Sequence, residues 1–487
     1  MLAYLYQGLH TFRKVFSRHA TWLTFCLVVL GFIGATQIDG VSSFCRFWSL
    51  QTPGYLALLH FFRSSAWSLT GLLSCWGAFV LSQNQSVTVE GCAVLLGDHT
   101  MTAKDGRPMP GVVTRHQDSE TQSKPNYFRG HFWGAIGLLI GTVAEPFCLP
   151  LSLRLHQGFK HLRQPDTADP DPQSSATQLV QMALDFAVEQ GVRCILVLDA
   201  FFSVAAVFQL SHSVWSVAGK KPLVTILGRA KKNYVAYFPA ERPEKPGPGR
   251  PRKYGDKVKL YEVFDHLHLF GSTRCQVYGA LEDVSFLAVN LLWKPTGEFI
   301  RFVFALTSRG PIVLMCNDLE MQPVAAIELY CLRVRVETMF AMLKQLIGAF
   351  HYHFWSKRLP RHSRKPKKNQ SLKLPTQDDL PPVQRCWEGY ERFAMLAAIA
   401  LGLLQLIALK FAPEVWGQFN AVLRTRSRQI PSERTVKDVV GQLMLEDFLN
   451  IAPSATMQKI RDHFLVDQKA SQESQSDMKQ KIAKRKH

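Results

Sequence analysis

The sequence has no Cys-x-x-Cys pair, although ten cysteines are spread over its 487 residues. Thiols such as Cys26, Cys92, Cys194, Cys275 and Cys331 are scattered, several in apolar runs. That pattern argues against a zinc site or a disulfide framework and for reduced thiols in a cytosolic protein. The close pairs His266-Leu-His268 and His351-Tyr-His353 lack neighbouring cysteine ligands and read as ordinary or DNA-facing histidines. Acid is scarce as well: 38 Asp and Glu stand against 57 Lys and Arg, a net charge of +19. Such an excess points to a polyanionic partner, either nucleic acid or an anionic membrane surface. Long apolar runs are few. Trp22 to Ala35 is shorter than the roughly 20 residues of a span and lacks a small-residue cleavage pattern. Phe393 to Leu409 is borderline, with Gln405 inside it and Arg392 and Lys410 at its ends. A buried core helix explains that run in a chain with so large a polar remainder, so no membrane partner is expected and the predicted location is the cytoplasm.

A chain of this length predicts about two to four domains with ample core. Residues 1–85 read as helical, with basic residues Arg13, Lys14 and Arg18 near the start. Tyr55 to Trp67 reads as a helix, a Ser-Ser break and a second helix; such units can enter a DNA groove, and packing helices share the pattern. From Ser86 the period changes. Thr88 to Asp98 reads as a strand ending in an acid, with a polar turn from His99 to Gly106, and strands follow near Phe132–Val143 and Pro146–Leu155. The Pro- and Asp-rich piece Arg163 to Ser175 reads as an exposed linker, and an amphipathic helix from Thr177 to Gln190 follows. Cys194 to Leu198 has no polar residue before Asp199, as suits a strand buried on both faces. An acid at the carboxyl end of such a strand sits where α/β sheets place ligands. Singly, Asp199 also fits a helix cap and Asp98 a turn start.

Glu328 to Lys344 lacks Gly and Pro and carries apolar residues at helical period. On one continuous helix Tyr330, Arg333, Glu337 and Lys344 fall within roughly 60° of arc, beside a core side formed by Leu332, Val336, Met339, Phe340 and Leu343. Two cations beside a carboxylate suit a phosphate backbone held next to a carboxylate-bound metal. A solvated, salt-bridged helix face has the same spacing. Three convergent carboxylates are what magnesium requires, and two such ions about 4 Å apart drive in-line phosphoryl transfer.

The order strand-Asp98, strand-Asp199, helix-Glu337 within a Tyr/Arg/Glu/Lys signature resembles the DDE transposases of bacterial insertion sequences, in particular the subgroup that excises its element through a DNA hairpin. The likeness extends to the basic aromatic segment Phe61 to Trp67, the Asp98-x-Thr100 turn with Lys104 and Gly106, Tyr127-Phe-Arg-Gly-His131-Phe-Trp, and Gly249-Arg-Pro-Arg-Lys-Tyr-Gly255. The resemblance implies an α/β fold: a ribonuclease H-like mixed-sheet core interrupted by a β-rich insertion, with helical N- and C-terminal regions. On that pattern the divisions fall at 1–85 (helical, DNA-binding), 86–205 (core, first part), 206–309 (insertion), 310–356 (core, second part), 357–385 (basic linker) and 386–487 (helical region and tail). Strands of the insertion are expected at Leu223–Leu227, Tyr234–Phe238, Val258–Phe264, Gln276–Tyr278, Ser285–Leu292 and Phe299–Leu306.

By the same resemblance Asp98, Asp199 and Glu337 are catalytic and hold two Mg2+ ions, for which Mn2+ substitutes, while Tyr330, Arg333 and Lys344 hold phosphates at the element's end. Trp293 is either a core residue or a ring that stacks on a flipped base. Arg250, Arg252 and Lys253 form a basic patch on the insertion. Lys365 and Lys367 belong to an acid-free run, Lys357 to Lys373, suited to DNA phosphates, and the tail with Lys479 to Lys486 is expected to be disordered. One residue departs from the family pattern: His99 follows the first Asp, where many members have a second acid. The implied activity is cut-and-paste transposition on double-stranded DNA, with terminal inverted repeats and target DNA as partners and a homodimer bridging two ends. A catalytically retired, DNA-binding descendant is the alternative.

Overall fold

The computed structural model describes residues 1–116, 127–156, 174–216, 221–241, 251–361, 375–420 and 428–451. Arg250, Lys365, Lys367, most of the Pro- and Asp-rich linker and the basic tail lie outside the described residues.

The N-terminal region is helical, as expected: α1 (Leu2–Thr11), α2 (His19–Gly34), α3 (Val41–Trp48), α4 (Thr52–Arg63) and α5 (Leu69–Ser82). Extended backbone at Ser64 ends α4, and the Ser68 hydroxyl caps α5 by accepting from Gly71 N at 3.0 Å. The aromatic side chains between the two helices point inward. Phe61 and Trp67 are each 3% exposed and stack at 5.1 Å, so this stretch packs the core and presents no ring to a DNA groove.

A mixed sheet follows, built from β1 (Thr88–Val89), β2 (Cys92–Ala103), β3 (Val113–His116), β4 (Tyr127–Gly141), β5 (Pro146–Leu155), β6 (Cys194–Leu198), β7 (Val224–Arg229), β8 (Val235–Pro239), β9 (Tyr254–Lys259), β10 (Gly271–Val277), β11 (Ala280–Trp293), β12 (Glu298–Thr307) and β13 (Gly310–Cys316). Helices α6 (Ser175–Gln190) and α7 (Ala205–Ser211) flank β6 in sequence. The main path is β3-β4-β2-β6-β7-β13-β12-β11-β8-β9, with β5 on β4, β1 on β2 and β10 on β11. Among the described residues only β2, β6 and β7 pair in parallel, and all five residues of β6 are buried, as its uninterrupted apolar run requires. The five strands β5-β4-β2-β6-β7 are consistent with a ribonuclease H-like core.

Three expectations are corrected. β7, assigned to the insertion, pairs in parallel with β6 inside the core. Val258–Phe264 is not a strand: β9 stops at Lys259 and a 3-10 segment, Leu260–Leu269, follows. β13, which was not foreseen, lies between β7 and β12, so the expected insertion strands continue the core sheet.

After β13 come α8 (Pro323–Leu332), α9 (Val334–Ala341), α10 (Leu380–Lys410), α11 (Ala412–Gln418) and α12 (Glu433–Ile451). The apolar run Phe393–Leu409 lies in α10, whose residues 389–408 are all buried against β5, α2, α4 and α12. The one helix long and apolar enough to cross a membrane is thus a core helix among the described residues. Its adjacent charges tie the two halves together. Glu391 accepts from Arg154 and from Leu155 N, both at 2.9 Å, while Arg392 donates to the carbonyls of Phe62, Ser64 and Trp67. Gly402 lets α10 approach Trp76: a Cβ there would stand 2.5 Å from a ring that is fully buried and fixed by its bond to the Pro150 carbonyl. Gly402→Ala is therefore expected to lower stability by about 1–2 kcal/mol, since overpacking outweighs the gain in helix propensity. Urea unfolding of the two proteins measures the difference.

Candidate active site

Strand pairing sets the first two acids side by side. β2 and β6 run parallel with Ala93 opposite Cys194 and Leu96 opposite Val197. Two residues further on, the same register puts Asp98 beside Asp199, where β6 has ended. Asp98 itself does not end its strand. β2 continues to Ala103, paired with β4 from Asp98 opposite Ala135 to Ala103 opposite Gly130. Because side chains alternate across a strand, His99 faces away from Asp98. There its Nε2 lies 3.0 Å from Nδ1 of His156 and 3.1 Å from the Ser175 carbonyl, and its ring packs against Phe132 and Phe202. Burial and the facing His156 push its pKa down to about 3, so it is a neutral packing residue.

The third acid comes from a helical segment tightened at one residue. α8 ends at Leu332, Arg333 forms the junction, α9 runs from Val334 to Ala341, and a π-helical turn, Met342–Leu346, completes the segment. Three-residue bonds replace the helical pattern at that residue, with Arg333 N donating to the Tyr330 carbonyl and Val336 N to that of Arg333. Helical dihedrals continue through Arg333 (φ -53°, ψ -32°), so Arg333 and Glu337 stay on one face, while Lys344, half-buried, sits in the π turn roughly 10 Å along the axis from Glu337.

Arg333 reaches the acids from this tightened turn. Its two terminal nitrogens lie 3.1 Å from Asp98 Oδ2 and 3.1 Å from Glu337 Oε1. Tyr330, 4% exposed, directs its hydroxyl at Asp199 Oδ1 from 3.4 Å. Three of the four signature positions therefore meet the two strand acids: Asp98 and Glu337 pair with the Arg333 guanidinium, and Asp199 lies against Tyr330, close enough to raise the pKa of Arg333. Burial opposes the charge on Arg333, but the fields of Asp199, Asp98 and Glu337 raise its pKa. Burial raises Asp98 to about 6 even though Arg333 pulls the other way, and Asp199 and Glu337 add to the rise. Burial, then Asp199, pushes the Tyr330 phenol upward, so it stays a donor.

Those donors are carboxylate oxygens alone, the set that suits a hard divalent cation and not a thiolate-seeking one. Among the described residues no three acidic, imidazole or thiol groups are already gathered into an ion site. Instead Arg333 supplies the positive charge that the carboxylates need. The chemistry of the site fits a divalent cation whose binding draws these oxygens away from the guanidinium.

The other residues singled out in the sequence fall elsewhere. Trp293 is 3% exposed, with its ring 5.5 Å from Phe208 and 5.6 Å from Tyr234, so it has no free face for a base. Arg252 and Lys253 are exposed just ahead of β9. Three residues near the acids were missed. Arg229 ends β7 beside Tyr330 and Tyr261, which raise its pKa against the effect of burial. Tyr278 turns the β10–β11 hairpin with a left-handed φ of 50°, and Arg309 lies over its ring at 3.8 Å. That hairpin docks on α8 where Gln276 N donates to Glu328 at 3.0 Å. The Tyr278-Gly279 pair between two apolar runs was the available turn signal.

Residues 29–269 match the profile of a family described as DDE superfamily endonuclease. The matched segment contains Asp98 and Asp199 and ends before Glu337, which the structure brings to them. No curated protein matches the chain. Over just under half of its length the chain is thus similar to the DDE superfamily endonucleases.

Proposed function

We propose that the chain is a cut-and-paste DNA transposase that cleaves at its element's ends and joins them to target DNA, with Asp98, Asp199 and Glu337 as its catalytic carboxylates. The observation that carries this reading is the convergence of three acids, from β2, the end of β6 and α9, on Arg333. A pair of Mg2+ ions, or Mn2+ in their place, when bound to these carboxylates would activate the attacking oxygen and stabilise the departing one. Arg333, released from Asp98, is placed to take a DNA phosphate through its planar fork. The Tyr330 hydroxyl steadies Asp199, and Lys344 and Arg229 add positive charge along the same edge. Following the resemblance, water first frees a 3'-hydroxyl at the element's end. That hydroxyl attacks the opposite strand to form a hairpin, which is reopened before strand transfer, and a homodimer holds the two ends together.

The test is cleavage by purified full-length protein of duplexes ending in the inverted repeats that flank the gene. Nicking that requires Mg2+ or Mn2+, followed by a hairpin product, is the expected result. Tight binding of the same duplex without nicking in either cation would overturn the catalytic reading in favour of a retired DNA-binding descendant.

A further inference from the structure

A second polyanion-matched surface lies at the far end of β2. From Asp98 to Ala103 the strand advances roughly 16 Å, and two adjoining cavities of about 740 and 490 Å3 open there, each as large as a typical ligand site. They share His353 and Trp355. Their linings contain Arg107, Arg361 and Lys104 on one side and Arg63, Lys357 and Arg385 on the other, against a single carboxylate, Asp105. Lys104 is spent internally, its ammonium donating to the carbonyls of Phe350 at 2.7 Å and Tyr352 at 2.9 Å. The other five cations are exposed, and among the described residues Arg107, Lys357, Arg361 and Arg385 form no ion pair.

The aromatic at the waist is held ready. From His351 to Ser356 exposure alternates, so His351, His353 and Trp355 face outward while Tyr352, Phe354 and Ser356 are buried. Beneath, Tyr352 stacks on Tyr390 at 4.5 Å, Tyr390 donates to the Phe354 carbonyl at 2.7 Å, and Ser356 N donates to that of Pro108 at 3.1 Å. Trp355 is nevertheless 50% exposed. A large ring presented to solvent on a pinned backbone, between unpaired guanidinium groups, matches a nucleobase flanked by its phosphates. An acidic peptide would satisfy the cations and leave the ring face without a planar partner.

We propose that this groove is a DNA site separate from the catalytic carboxylates, in which an unpaired base stacks on Trp355 while Arg107, Arg361, Lys357 and Arg385 hold the neighbouring phosphates. The inference rests on DNA being the substrate. Its placement puts the unpaired nucleotide about five base-pair steps from the cleavage site.

The experiment compares binding of full-length protein to a paired duplex and to the same duplex carrying a two-nucleotide bulge, by fluorescence anisotropy. Trp355→Ala is expected to weaken bulged-duplex binding by about tenfold and paired-duplex binding by less than about twofold. Trp355→Phe should restore most of the loss, with the melting temperature unchanged because the ring is half exposed. The pair Arg107→Ala and Arg361→Ala should weaken both complexes and flatten the salt dependence by about two charges. Equal affinities of Trp355→Ala and wild type for the bulged duplex would overturn this inference and leave the transposase reading standing. Displacement of the bulged duplex by polyglutamate at equal charge would likewise overturn this inference alone, whereas failure of the wild type to bind either duplex would overturn both.

Discussion

Asp199→Asn is expected to lower metal-dependent cleavage by on the order of 10³-fold or more while DNA affinity changes by less than about threefold. Asp199 stands in register beside Asp98 at the point where β6 stops, so its carboxylate is one of the two that the sheet itself aligns. Asn keeps the shape and the acceptor that faces the Tyr330 hydroxyl, so the local packing around the end of β6 survives. What the substitution removes is a negative charge that Arg333 and a divalent cation both need. On the proposed reading the phosphate contacts fall to other residues and outlast the change. Single-turnover nicking of end-containing duplex, measured beside an equilibrium binding isotherm, separates the two effects. Unimpaired nicking by the variant would remove Asp199 from the site.

How far the sequence discloses such a site depends on which force sets each element. The pairing of Asp98 with Asp199 is legible because two short apolar runs each reach an acid, and a buried parallel pair fixes their register. The continuation of β2 past Asp98 is not, since His99-Thr100-Met-Thr102 looks like a polar turn until β4 supplies partners that cover it. Nor is the tightened turn at Arg333 visible: no Gly or Pro marks it, and it coincides with a side chain that reaches Asp98 on a distant strand. Helical spacing accounts for Tyr330, Arg333 and Glu337 sharing one edge, and the π turn carries Lys344 further along the axis. Trp293 and Trp355 show the limit from the other side. Both are tryptophans near the end of an apolar stretch, and only tertiary packing buries the first against Phe208 and Tyr234 and leaves the second in a basic groove. Similarly β13, Gly-Pro-Ile-Val-Leu-Met-Cys316, carries a strand's composition, yet its place beside β7 is a long-range choice that its own residues do not encode.

The acids that serve cleavage should cost the fold stability, and Asp98→Asn exposes that cost. Burial lifts the Asp98 carboxyl to about 6, from 3.8 in an open chain. The sign follows: below about pH 3 the group is protonated in both states, and as the pH rises through 6 the folded protein must accept a partly buried charge that the unfolded chain carries freely. A shift of about two units corresponds to about 3 kcal/mol. Asp98→Asn, which stays neutral, should therefore match the wild type near pH 3 and exceed it by about 2–3 kcal/mol at pH 8, because Arg333 keeps Glu337 and the field of Asp199 when Asp98 is neutral. Denaturant unfolding at the two pH values tests the difference. Mg2+ or Mn2+ should close the gap at pH 8 by stabilising the wild type alone, since a cation that binds only the folded site adds to its stability. Equal stability of the two proteins at pH 8 without divalent cation would show that Arg333 fully compensates Asp98, and that the site holds its charges without strain.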